Sequence, residues 1–211
     1  MSLSIRIAQK LLQINAIKLN PQNPFTWASG LRSPIYCDNR LSLSYPEVRN
    51  DICAGLAELS NDYKDIDVIA GVATAGIPHG LLLAEKLNKP FAYVRSKAKG
   101  HGRQNRIEGK LEAGQRVLLV EDLISTGGSA LQAVRAVREV GCEVLGVLAI
   151  FTYGFQKSVD AFEENNCPFS TITNYPELLS CAVEKNYISA ADHEILSDWS
   201  RDPEHWFSNL K

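Results

Sequence analysis

The apolar positions of this chain follow two rhythms. Over residues 3–17, Leu3, Ile7, Leu11, Leu12 and Ile14 recur at helical spacing and predict a helix with one buried face. Residues 20–45 lose that spacing. Pro21, Pro24, Gly30 and Pro34 forbid a long helix there, and only short extended pieces are expected, around residues 25–27 and 33–36. Pro46 starts a second helical pattern, with Val48, Ile52 and Leu56 along one side to about residue 60. From residue 67 onward, short unbroken apolar runs alternate with helical spacing. The runs at 67–72, 91–95, 117–120, 144–152 and 169–173 predict strands, and 77–87, 129–140 and 156–164 predict the helices between them. Gly141 stops the second of these helices. Helical patterns at 175–185 and 190–196 follow, and a polar loop is expected over 96–113. Alternating strands and helices make a parallel sheet flanked by helices on both faces, an α/β fold.

Composition narrows the class. The chain has 211 residues, 45% hydrophobic and 22% charged, which suits one soluble domain. A net charge of −2 gives no global basic field, so no nucleic-acid partner is expected. No apolar run approaches the ~20 residues of a bilayer span, so no membrane association is expected. The start, Met1-Ser2-Leu3-Ser4-Ile5-Arg6, lacks a signal-peptide pattern. The five cysteines are scattered and none forms Cys-x-x-Cys. That spacing fits reduced thiols in a cytoplasmic protein, not a zinc site or a disulfide framework.

Candidate chemistry concentrates at residues 117–129. Val117-Leu118-Leu119-Val120 leads straight into Glu121 and Asp122, then into Leu123-Ile124-Ser125-Thr126-Gly127-Gly128-Ser129. The order is buried strand, acidic tip, loop of hydroxyls and glycines, helix start. Backbone N–H groups at a helix N-terminus attract phosphate, and glycines let it come close. Ser125, Thr126 and Ser129 can donate hydroxyl hydrogen bonds. The two carboxylates would repel phosphate, so they suit ribose hydroxyls or a hard cation such as Mg²⁺. Neither the Gly-Lys-Ser/Thr of a Walker loop nor a Gly-x-Gly-x-x-Gly fingerprint is present.

Three other segments bear on the ligand. The stretch 95–109 carries Arg95, Lys97, Lys99, Arg103 and Arg106, with His101 between glycines. Such a set suits a diphosphate and could close as a lid, or it is a solvated charge run. The turn Ala73-Thr74-Ala75-Gly76 either cradles a second phosphate or is a tight βα turn that needs small residues. Residues 25–40 mix aromatics, hydroxyls and arginines. They form either a cap over a flat heterocycle or a structural extension.

Together and in this order, the four segments resemble the type I phosphoribosyltransferases and, among them, the orotate phosphoribosyltransferases. The narrower resemblance rests on Ser29-Gly30-x-x-Ser33-Pro34-x-Tyr36. Arg95-x-x-x-Lys99-x-His101-Gly102 resembles the family's catalytic loop, and Glu121 to Ser129 its phosphoribosyl-diphosphate (PRPP) motif. The resemblance implies the type I phosphoribosyltransferase fold in a single domain over 1–211, with a small N-terminal hood over about 1–45 and a core over about 46–175. It implies transfer of the phosphoribosyl group from PRPP to orotate, giving orotidine 5′-monophosphate and diphosphate in de novo pyrimidine biosynthesis. Mg²⁺ and a cytoplasmic homodimer, whose basic loops complete one another's sites, are implied as well.

Residue roles follow from the same resemblance. Glu121 and Asp122 would hold the ribose hydroxyls, directly or through Mg²⁺. Leu123, Ile124, Ser125, Thr126, Gly127, Gly128 and Ser129 would form the loop around the 5′-phosphate. Arg95, Lys99 and His101 would bind the diphosphate, with Thr74, Ala75 and Gly76 lining it from below. Ser125, Ser29, Gly30, Ser33 and Tyr36 would meet orotate. Lys99, His101 and Asp122 make the catalytic set, and no covalent nucleophile is needed.

The chain departs from the family pattern where cations are usual. Many members carry Lys at the position of Ala28, Tyr-Lys at Thr74-Ala75 and a second basic residue at Ser96. Some carry an orotate-contacting Arg after the strand that ends near Thr152, where Tyr153-Gly154-Phe155 follow here. A carboxylate-bearing base needs a local cation, for which Arg32 and Arg40 are candidates; Lys97, Arg103 and Arg106 could compensate in the loop. Two further readings stay open: transfer to another base, and a PRPP-sensing regulator that binds nucleic acid. The net charge and the basic loop disfavour the regulator. His79 and Trp27 read as structural. His193, Trp199, His205 and Trp206 fall in a polar C-terminal stretch without a motif, and residues 190–211 receive no role.

Overall fold

The computed structural model describes residues 2–27, 29–96 and 106–209. Four short strands come first. β1 (Ile17–Leu19) pairs with β4 (Ile35–Cys37), and β2 (Phe25–Thr26) with β3 (Arg32–Ser33), both antiparallel. The main sheet comprises β5 (Val68–Val72), β6 (Phe91–Val94), β7 (Ile107–Glu108), β8 (Arg116–Ile124), β9 (Glu143–Thr152) and β10 (Phe169–Asn174). Their spatial order is β10-β9-β8-β5-β6-β7, parallel except where β7 runs against β6.

Helices cover both faces. On one side lie α1 (Leu3–Gln13), α2 (Pro46–Ser60) and α3 (Gly76–Leu87); on the other lie α4 (Gly128–Glu139) and α5 (Gln156–Glu164). The first side also receives α6 (Tyr175–Glu184), α7 (Ala190–Arg201) and the single turn α8 (Trp206–Asn209). Successive strand residues point to opposite faces. Thus Ile69, Leu118, Val120, Leu148 and Ile150 enter the first core, while Val68, Ala70, Leu119, Val147 and Ala149 enter the second. Burial on both faces is why these strands appear in the sequence as unbroken apolar runs.

Four features differ from the expectations. β8 continues to Ile124, so Glu121 and Asp122 stand inside the strand and not at its tip. The cause is β9, which runs on beside it and sets Glu121 opposite Ala149 and Ile124 opposite Thr152. The polar stretch 96–113 contains β7, whose two residues pair with Tyr93 and Val94; so short a strand leaves no period to read. Residues 17–19 and 39–44 form β1 and a turn of 3₁₀ helix. Finally, the C-terminal stretch is no polar tail. α7 extends to Arg201, and Leu196 and Trp199, three residues apart, are both wholly buried.

Candidate active site

The sheet reverses its winding between β5 and β8. From β5 the chain moves through α3 to β6; from β8 it moves through α4 to β9, in the opposite direction. Ligands of open parallel sheets lie at such a switch point, beyond the carboxyl ends of the strands. Both the Thr74–Gly76 turn, which follows β5, and the Ser125–Gly128 turn, which follows β8, open there. They are held close together. A methyl group on Gly76 would run into the carbonyl oxygen of Val120, so α3 begins pressed against the strand that carries the acids. The Ala73–Thr74 peptide is cis, and the Ala73 N–H donates to the Val94 carbonyl at 2.8 Å.

The two acids are neighbours on β8, and their carboxyl groups share a hydrogen bond. Glu121 is buried; its Oε2 accepts the Ser129 hydroxyl at 3.1 Å and its Oε1 accepts the Asp122 N–H at 3.0 Å. Asn39 donates from Nδ2 to the Asp122 carbonyl at 2.9 Å. Burial pushes the Glu121 carboxyl well above the usual range, and the charge of Asp122 adds to it. Burial also raises Asp122. Two desolvated acids side by side repel one another when both are ionised, so such a pair gains from further hydroxyl donors or from a cation.

Gly127 caps α4 at a φ of 81°, and a Cβ there would meet the Phe162 ring at 2.8 Å. Neither α3 nor α4 has a side-chain cap on its first N–H groups. These donors therefore face the switch point without a protein side-chain acceptor, as an anion site requires.

Beyond the loop lies a cavity of about 760 Å³, within the size range of small-molecule sites. Ser125, Thr126, Ser29 and Gly30 line it together with Trp27 and Phe155. Thus the structure brings together the loop and the first half of the Ser-Gly-x-x-Ser-Pro-x-Tyr pattern. It does not bring Ser33 or Tyr36 to this cavity. Ser33 is fully buried, its hydroxyl donating to the Ile35 carbonyl at 3.0 Å. Tyr36 is exposed and rests against Phe25 with ring centres 5.8 Å apart. Arg95 stands at the end of β6 with Nη1 3.4 Å from Glu108. Lys99, His101 and Ala28 lie outside the described residues.

Sequence reasoning missed one whole wall. Residues Ser200 to Glu204, from the end of α7 and just beyond, also line the cavity. Trp199 anchors them: its ring packs 5.8 Å from Trp27, 5.6 Å from Tyr153 and 5.3 Å from Phe155. Trp27 is structural and also lines the cavity; its Nε1 donates to the Ile35 carbonyl at 3.0 Å. Leu196 and Trp199 share helical spacing, which was the available signal. Asn39 carried none. His79 is buried on α3, and burial pushes it down to about 4, so it is neutral at physiological pH.

Comparison with known proteins places this geometry. Residues 45–177 match the family model described as a phosphoribosyl transferase domain. A protein of Listeria innocua named orotate phosphoribosyltransferase is 52% identical over 98% of this chain and 99% of its own length. One of the same name from Bacillus pumilus is 56% identical over 95% of this chain and 96% of its own. The solved orotate phosphoribosyltransferase of Aeropyrum pernix aligns with a TM-score of 0.74 at 26% identity, over 87% of this chain and 99% of its own.

Proposed function

The chain belongs to the orotate phosphoribosyltransferase family, and on that premise we propose how its residues move the phosphoribosyl group from PRPP to orotate. One observation carries the assignment. The Glu121–Asp122 pair, with Glu121 buried and Asp122 half-buried, and the uncapped start of α4 sit on one continuous stretch of chain, at the switch point, beside a cavity sized for a base.

The ribose 2′- and 3′-hydroxyls donate to Glu121 and Asp122, which compensates the ionised forms that burial disfavours. The 5′-phosphate lies against the N–H groups and hydroxyls of Ser125 to Ser129. The turn Thr74–Gly76 takes the diphosphate from below, and Arg95, Lys99 and His101 bear on it from the basic loop. As diphosphate departs, C1′ gains oxocarbenium character. The main task is then to neutralise the leaving group and to hold the base nitrogen in line, with water excluded. Among the described residues, no group of three or more His, Cys, Asp and Glu could hold a metal. Glu121 and Asp122 would hold a cation where a second acid and burial disfavour two ionised carboxylates. When bound with PRPP, Mg²⁺ would supply positive charge at the diphosphate.

In the same reading, residues 1–45 form a hood over the base, and the protein works as a homodimer in which each basic loop completes the partner's site. Tyr36, Leu41, Tyr45 and Leu81 are large exposed apolar side chains available to such a partner. No described helix is long and apolar enough to cross a membrane. The five free cysteines suit a reducing compartment such as the cytoplasm.

The test is loss of orotate absorbance with PRPP and Mg²⁺, with and without a chelator. Loss that the chelator abolishes is expected. A folded protein that binds PRPP but leaves orotate untouched would refute the base assignment.

A further inference from the structure

Ala28 and Tyr153-Gly154-Phe155 contribute no cation to the base site, yet orotate carries a carboxylate. Resting on the base site assigned above, we infer that Arg201, the last residue of α7, supplies the positive charge that recognises this carboxylate.

Among the described residues, two cations line the cavity, Lys157 and Arg201. Lys157 faces an acid of the same wall, with Nζ 3.3 Å from Glu204 Oε1. The other acid of the wall, Asp202, is engaged by His205. Its Oδ1 accepts the His205 N–H at 3.3 Å and lies 2.9 Å from His205 Nδ1, capping the last turn of the chain. Arg201 is different. Its partner Asp198, 3.0 Å away, lies one turn back on α7 and does not line the cavity. Both pairs are largely exposed and weak; what sets Arg201 apart is that its acid lies outside the cavity, so a carboxylate inside it meets no competing charge from that pair. A planar guanidinium meets a carboxylate with two parallel hydrogen bonds and can trade Asp198 for the substrate.

The other arginines considered for this task are engaged elsewhere. Arg40 binds Asp38 twice, from Nε at 2.6 Å and from Nη2 at 2.9 Å. Arg32 lies over the Phe207 ring, 4.8 Å from its centre. Neither lines the cavity. The position of Arg201 is itself secured, because Trp199 two residues earlier is wholly buried among Trp27, Tyr153 and Phe155.

Orotidine 5′-monophosphate and uridine 5′-monophosphate differ only by the carboxylate, so calorimetric titration with each isolates its contribution. Arg201→Gln should weaken orotidine 5′-monophosphate binding about tenfold or more, the range for a charge-assisted hydrogen bond. Uridine 5′-monophosphate affinity and the KM for PRPP should stay unchanged, and Arg201→Lys should recover part of the loss. An unchanged orotidine 5′-monophosphate affinity, or an equal loss for both nucleotides, would overturn the role of Arg201. The underlying reading fails separately. A wild-type protein that neither consumes orotate nor binds orotidine 5′-monophosphate would overturn that reading and this inference together.

Discussion

Glu121→Gln should make the ligand-free protein more stable and the PRPP complex weaker. The carboxylate is 5% exposed and stands beside a second acid, so its ionised form is disfavoured in the folded state. Glutamine can keep the contacts with the Asp122 N–H and Ser129, and its amide N–H can donate to the Asp122 carboxylate in place of the carboxyl–carboxyl hydrogen bond. One amide group can accept the Asp122 N–H, and the Ser129 hydroxyl can turn to accept from the other. What disappears is the buried charge and its repulsion with Asp122. Relief of one such conflict is worth about 0.5–2 kcal/mol, or about 1–8 °C in Tm for a chain of this size.

The sign with pH can be worked out. The folded carboxyl holds its proton above the ordinary carboxylate range, where the unfolded chain has already lost it. Folded wild-type protein therefore binds more protons than unfolded in that window, and its stability falls as pH rises through the raised pKa. The glutamine variant lacks this slope, so its advantage grows with pH. Thermal melts with and without PRPP and Mg²⁺, from acid to pH 8, separate the two effects. The ligand-induced rise in Tm should shrink, each tenfold loss of affinity removing about 1.4 kcal/mol at saturating ligand. A variant less stable than wild type at pH 8, or one with an undiminished PRPP shift, would refute the argument.

Two other outcomes follow from the geometry. Gly76→Ala should destabilise the fold by about 1–3 kcal/mol and weaken PRPP binding, since its methyl group needs the space of the Val120 carbonyl; an unchanged melting temperature would mean that α3 can shift away freely. Mixing the separately inactive Lys99→Ala and Asp122→Asn proteins should restore partial activity if sites are shared between subunits, whereas no recovery after proven subunit exchange would exclude sharing.

The sheet and the acid pair were legible because burial on both faces writes strands as apolar runs, and because two acids in such a run stand out against it. The helices α2 and α5 fell at their expected spans for the same reason, a repeated apolar spacing. The cavity wall was not legible. Trp27, Tyr153 and Trp199 are far apart in the chain, and α7 is polar on most positions, so its short buried stripe of Leu196 and Trp199 is faint. Ser33 and Ser29 look alike in the motif; only their burial separates a hydroxyl that braces the backbone from one that lines the cavity. Asn39 reaches Asp122 across a long sequence separation that no local pattern encodes.

The burial of Trp199 also has a consequence for biosynthesis. A growing chain that has emerged through β10 already carries every strand of the sheet, but not the residue that covers Trp27, Tyr153, Phe155 and Tyr175. Because synthesis runs from the N-terminus and domains fold as units, a wet aromatic surface persists on the ribosome until α7 is released. That interval is when this chain is most exposed to aggregation and chaperone capture, and a premature stop after β10 would make it permanent.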